Sequence, residues 1–199
     1  MNVYRWTAGL ALAVILTCLL LVPRAGAVSD FDRFRDKTEI VNREAVSKLT
    51  ELGIISGTES GYFNPTGLVT RAEMAKMIAM VMNPNQVINS SSKQTELIDI
   101  EGHWAAEYIH YCYRLGIIAG RGNNRFDPDA NVTADEAAKM LLVAAGYDPI
   151  RKKFTGQDWV IHVSDVAVRM GIYNDFTKAA SDPISRDDAA LLIYNALIG

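Results

Sequence analysis

Val69-Thr70-Arg71-Ala72-Glu73 is the stretch on which the fold turns, because the chain writes it three times. Weaker copies read Val132-Thr133-Ala134-Asp135-Glu136 and Ile184-Ser185-Arg186-Asp187-Asp188. Each sets a hydroxyl residue three positions ahead of an acid, directly before apolar residues at helical spacing. That is a capping box or its close relative. The hydroxyl of Thr70, Thr133 or Ser185 accepts from a first-turn amide, and Glu73, Glu136 or Asp188 reaches back to the cap residue's own N–H. Loss of such a cap costs about 1 kcal/mol, and the acids also complement the helix dipole. Val69, Val132 and Ile184 precede the caps, where a hydrophobic staple belongs. Helix initiation thus accounts for the hydroxyl, the acid and the β-branched residue, but not for the arginine. A cation at a helix start is opposed by the dipole, so Arg71 and Arg186 need another reason. One is an ion pair with a carboxylate of a neighbouring repeat; the other is recognition of an anionic ligand by a guanidinium fork.

Working outward, the repeat extends well beyond this phrase. Leu52-Gly-Ile-Ile-Ser-Gly57 recurs as Leu115-Gly-Ile-Ile-Ala-Gly120, and more faintly as Met170-Gly-Ile-Tyr-Asn-Asp175. Phe63-Asn-Pro65 and Phe126-Asp-Pro128 share the same offset of 63 residues. Ahead of each glycine, apolar residues fall at i, i+4, i+8 and i+11: Val41, Ala45, Leu49, Leu52; Trp104, Tyr108, Cys112, Leu115; Trp159, Val163, Ala167, Met170. This spacing predicts an amphipathic helix, and the following glycine fits its C-terminal cap. A second helix follows each cap, with Met74, Met77, Ile78 and Val81 in register with Ala137, Met140, Leu141 and Ala144, then with Ala189, Leu192, Ile193 and Ala196. Each unit therefore reads helix, Gly/Asn/Pro-rich loop, helix. One helical pair exposes more apolar face than it covers, so three copies should share a core. The expected fold is all-α, with pseudo-threefold repetition. Repeats fall at 28–83, 98–147 and 159–199, joined by linkers at 84–97 and 148–158, where Pro84 and Pro149 stop the preceding helices.

An apolar helix ending Leu-Gly-Ile-Ile-x-Gly, a turn ending Phe-x-Pro and the Val-Thr-Arg-Ala-Glu helix start resemble the S-layer homology motif. Three tandem copies are that family's usual cell-wall anchoring complement. The resemblance covers about Phe34 to the C-terminus and is weakest in the third copy. It implies a three-pronged, pseudo-trimeric helical fold that binds secondary cell-wall polysaccharide, often pyruvylated, in grooves between motifs. By that resemblance, Arg71 and Arg186 are groove residues, together with Gly57 and Gly120 in the turns and Trp104 and Trp159 at the first helices. The chain departs from the pattern at Val41, where the other copies have Trp, at Ala134, where arginine is missing, and in the third copy's turn. One or two working grooves are therefore expected. The other reading is a protein-interaction or assembly module of the envelope, docking another secreted envelope protein, that kept the fold and lost its sugar.

Composition bounds the remaining possibilities. Arg5, an apolar run from Trp6 to Val22 and the small residues up to Ala27 read as a secretory signal peptide, residues 1–27; the alternative is an uncleaved anchor. Without Arg5 and Arg24 the chain carries 18 basic against 23 acidic residues, which argues against a nucleic-acid partner. Cys112 is then the only cysteine, so the secreted protein is held by packing rather than by a disulfide. Asp127, Asp129 and Asn131 start like a calcium loop, but Val132 stands where glycine is needed and Ala138 where a bidentate Glu is needed. His103, Glu107 and His110 share roughly one helical face without a zinc motif. Neither points to a metal, and no cofactor is expected. No nucleophile–base pair stands in a recognisable context, and Cys112 lies on a core stripe, so the chain is not read as an enzyme.

Overall fold

The computed structural model describes residues 30–83 and 95–198. The expected leader at 1–27 lies outside them, as do Pro84 and most of the 84–97 stretch. A 3-10 turn at Asp30–Arg33 precedes six α-helices: α1 (Arg43–Glu51), α2 (Arg71–Met82), α3 (Ala106–Arg114), α4 (Ala134–Ala144), α5 (Trp159–Arg169) and α6 (Arg186–Ile198). No strand forms among the described residues, and the fold is all-α, as the repeated caps predict.

Local chemistry sets the helix ends. Gly53, Gly116 and Gly171 follow the C-caps of α1, α3 and α5 with φ of +70°, +71° and +70°. The next amide in each copy reaches back five residues: Ile54 to Leu49, Ile117 to Cys112 and Ile172 to Ala167, all at 2.9 Å. This is the Schellman closure, and only glycine adopts that left-handed backbone cheaply. It turns the chain so that Ile54, Ile117 and Ile172 enter the core.

The first-helix stripes need correction. Val41 and Trp104 are 81% and 57% exposed, and Leu115 and Met170 are 49% and 37% exposed. The buried faces are instead Ala45, Val46 and Leu49; Ile109 and Cys112; Val163, Val166 and Ala167. Helices α1 and α3 begin only at Arg43 and Ala106, so residues 41 and 104 stand ahead of the helix whose phase was extended back to them. His103 also precedes α3 and is not on one helical face with His110; it contacts Asp129, whereas His110 contacts Thr95.

Packing crosses the repeats. Helix α2 lies against α3, α4 against α5, and α6 returns to α1, while α4 also touches α2 and α6. The second helix of each unit therefore covers the first helix of the next, and the chain closes on itself. The three residues before the caps form the axis of this ring. Val69 N–H donates to the Ile184 carbonyl (3.0 Å), Ile184 N–H to Val132 (3.1 Å), and Val132 N–H to Val69 (2.9 Å). All three side chains are completely buried, so each backbone bond is made where water offers no substitute.

Two further features hold the loops. Asp36 accepts from the Phe63 and Asn64 amides (2.8 and 2.7 Å), and Asp99 accepts from Phe126 and Asp127 (2.9 and 2.8 Å). Burial alone would raise the Asp99 carboxyl, but those amides hold it below the usual carboxylate range. Phe154, within the 148–158 stretch, is fully buried and stacks at a tilt on Tyr147, so this segment contributes to the core while Arg151, Lys152 and Lys153 remain exposed.

Candidate functional site

The helix starts decide what is left for a ligand. Thr70 Oγ1 accepts from the Glu73 amide (3.2 Å), and Glu73 returns a carboxylate to Thr70 N–H (2.8 Å). Thr133 and Glu136 repeat this at 3.2 Å both ways, and Ser185 and Asp188 at 3.1 and 2.9 Å. The first two amides of each helix go to the loop of the next repeat. Arg71 and Ala72 donate to Ala130 and Pro128, Ala134 and Asp135 to Asp182 and Ala180, and Arg186 and Asp187 to Gly67 and Pro65. The amides that make a helix start an anion site are thus consumed by the fold, and recognition falls to side chains.

Both arginines make the same reach between repeats. Arg71 Nε donates to the Phe126 carbonyl (2.8 Å), its NH2 to Ala119 (3.3 Å), and its NH1 pairs with Glu136 (3.2 Å), with the guanidinium 4.5 Å from the Phe126 ring centroid. Arg186 Nε donates to Phe63 (2.8 Å), its NH2 to Ser56 (3.0 Å), and its NH1 lies 3.7 Å from Glu73, with Phe63 beneath at 5.1 Å. Burial pulls the Arg71 pKa down to about 10 despite Glu136, which acts in the opposite direction; Arg186 is lowered for the same reason. Each guanidinium is a latch between repeats, and the cap acid receiving it serves two purposes.

The latches floor two clefts of about 240 and 210 Å³. The first brings Arg186, Gly57 and Trp104 together, from the third, first and second repeats. Arg71, Gly120 and Trp159 meet in the second, again from three different repeats. The glycines serve close approach. A Cβ on Gly57 would sit 2.6 Å from the Phe34 ring, and one on Gly120 would sit 2.9 Å from the Arg125 carbonyl. Sequence reading missed the lysines: Lys76 lines the first cleft and Lys139 the second. Lys139 Nζ lies 4.8 Å from the Trp159 ring centroid, and Lys76 Nζ lies 5.8 Å from Trp104. Their signal was available at the 63-residue offset, six positions past Thr70 and Thr133. A cation beside an aromatic face on an open cleft suits a sugar ring that carries negative charge.

The third position of the ring lacks every part. Ala134 replaces arginine, Leu191 stands where Lys76 and Lys139 do, and Val41 replaces tryptophan. Asp188, the acid equivalent to Glu73 and Glu136, pairs with Lys178 of its own repeat at 2.5 Å. Cys112 is buried, with its thiol pushed up to about 12 by desolvation, and thus suited to packing rather than to nucleophilic chemistry.

Residues 33–75 and 99–138 match the S-layer homology domain. The chain is also 28% identical over 155 residues to a cell surface protein of Thermoanaerobacter kivui, covering 77% of this chain and 19% of that protein. It is 27% identical over 135 residues to a cellulosome-anchoring protein of Acetivibrio thermocellus, covering 67% and 29%. An endoglucanase of a Bacillus species is 30% identical over 155 residues, covering 74% and 16%. The chain spans less than a third of the length of each of these relatives. The family and its surface-layer and cell-surface members point to the surface and wall of a bacterial cell. Through both matched segments, the chain belongs to the S-layer homology domain family.

Proposed function

We propose that this protein is a non-enzymatic surface anchor that binds anionic secondary cell-wall polysaccharide, including pyruvylated sugars, in two grooves. The observation that carries the reading is the repetition of one constellation. Arginine, lysine, tryptophan and a close-packed glycine come from three repeats and meet twice around the ring, while the third position has none of them. A packing requirement explains the arginine and the glycine. It does not explain a lysine set beside a tryptophan in the lining of both clefts.

In this reading the roles divide. Arg71 and Arg186 fix the floor and supply a positive field from below. Lys76 and Lys139 meet the carboxylate, and Trp104 and Trp159 offer a face to the ring. The test is sedimentation with purified cell-wall polymer. Trp104→Ala and Trp159→Ala should each weaken pelleting, and the double substitution should abolish it. Binding should also weaken as salt rises from about 0.05 to 0.5 M, where screening shortens from over 10 Å to a few ångströms. If the unaltered protein stays in the supernatant, or the double variant pellets unchanged, the grooves do not anchor it, and the assembly-module reading takes over.

A further inference from the structure

The two grooves differ at one residue in a way the repeat makes easy to isolate. Thr58 and Arg121 occupy the same register, 63 residues apart, and each lines its own cleft. In the first cleft Thr58 serves the turn: its hydroxyl contacts Ser60 (2.9 Å) and accepts from Tyr62 N–H (3.2 Å). In the second, Arg121 sends Nε and NH2 to Glu136 Oε1 at 3.2 and 2.6 Å. That same oxygen already receives Arg71 (3.2 Å). The other oxygen of Glu136 accepts from Thr133 N–H to complete the helix cap. One carboxylate therefore stands between two guanidiniums, with Lys139 beside them.

Counting the lining groups, the first cleft sets Arg186 and Lys76 against Glu73. The second sets Arg71, Arg121 and Lys139 against Glu136. One positive charge remains uncompensated in the first, and two in the second. We infer that the Arg121 groove takes a doubly negative glycan unit, such as a phosphate monoester, whereas the Thr58 groove takes a singly charged one. This assignment rests on the groove-binding reading above and divides labour within it. Arg121 suits the task because it is partly exposed, with 36% of its side chain open to solvent, and is held in place by Glu136 rather than free to swing. A guanidinium fork held in this way loses little freedom on meeting two oxygens of one group. Lys139 feels the crowding: burial first, and Arg71 second, lower its affinity for its proton. A second negative charge on the ligand relieves that crowding; a single one relieves it in part.

Each groove carries its own reporter, since Trp104 belongs to one and Trp159 to the other. The experiment follows both indole N–H resonances of the full protein by NMR at pH 8. The titrants are N-acetylglucosamine 6-phosphate, glucuronate and uncharged N-acetylglucosamine, alongside purified wall polymer. The phosphate should saturate the Trp159 signal at about fivefold lower concentration than the Trp104 signal, the order expected of one partly exposed charge contact. Glucuronate should show a smaller gap, and the uncharged sugar none. Arg121→Thr should bring the Trp159 curve onto that of Trp104, and Thr58→Arg should move Trp104 the other way. The pair also guards against a folding artefact, because each substitution installs the residue that the other repeat already carries. Parallel phosphate curves in the unaltered protein, or an unchanged Trp159 curve in Arg121→Thr, overturn the dianion assignment while leaving the grooves as sugar sites. If neither indole answers to wall polymer, the groove reading itself falls, and the assignment with it.

Discussion

Arg71 is committed to the fold through every bond it makes, yet it also lines a cleft. Its nitrogens serve the carbonyls of buried Phe126 and exposed Ala119 as well as Glu136, and only 4% of the residue is exposed. Arg71→Ala should therefore lower stability by about 2–3 kcal/mol, the cost of stranding buried polar partners, seen as an earlier urea midpoint. Lys139→Ala leaves the helix caps and the Arg71 latch paired and should stay within about 0.5 kcal/mol of the parent, yet weaken pelleting with wall polymer. If Arg71→Ala melts like the parent but loses the wall, the latch account is wrong and the arginine is a direct ligand contact. Gly57→Ala is a separate test at the same scale. The added methyl meets the Phe34 ring at 2.6 Å, so overpacking should cost about 1–3 kcal/mol in a thermal or urea melt. A neutral result would mean that Phe34 gives way freely and that the glycine has some other reason to be there.

The elements are tied together by acids at the helix starts, and pH reads this out. Asp188 would be raised by burial, but Lys178 and the Ser185 hydroxyl and amide hold it below the ordinary aspartate range. A depressed carboxyl contributes stability that is fully present above its unfolded value, about pH 4. That contribution is lost as pH falls through the lower folded value. Asp188→Asn should thus cost about 1–2 kcal/mol near pH 7, and the gap to the parent should close as the pH is taken well below 4. A gap of constant size down to pH 2 would show that the charge is irrelevant and that only the shape of the cap counts. The caps, and the glycines ending α1, α3 and α5, were legible because their chemistry closes within five residues. The arginine's target was not, since Phe126 and Glu136 lie 55 and 65 positions from Arg71 and no local pattern specifies such a distance. Lys76 and Lys139 were overlooked because a lysine on a helix reads as solvated surface until its neighbour is known to be a tryptophan from the next repeat.

At the scale of the whole molecule, the repeats form a closed ring, and closure has consequences that an open stack lacks. In a solenoid each repeat touches only its sequence neighbours, so removing the last one leaves the others folded. Here α6 covers α1, and Ile184 supplies both a donor and an acceptor to the axial hydrogen-bond ring. Asp187 takes the Asn42 amide and side chain at 2.8–3.2 Å, and Tyr194 donates to Glu44 at 2.7 Å, so the last helix also orients the first. Apolar periodicity gave the second helix of each unit its buried face and the first helix only part of its own, and in no case the helix that would cover it, which is why this cross-over was invisible before the structure. A chain ending at Asp158 keeps the first two repeats complete and both of the segments that match the family. It should nevertheless lose cooperative folding, because Val69 N–H and the Val132 carbonyl would be buried without partners and α1 and α4 would each have an uncovered apolar face. The measurement is a urea titration followed by near-ultraviolet circular dichroism, where Trp104 and the tyrosines report fixed packing. A broad, non-sigmoidal loss of ellipticity with a weak aromatic signal is the expected outcome. A sharp transition with the aromatic bands intact would mean that two repeats suffice and that ring closure is a consequence of folding rather than a condition for it.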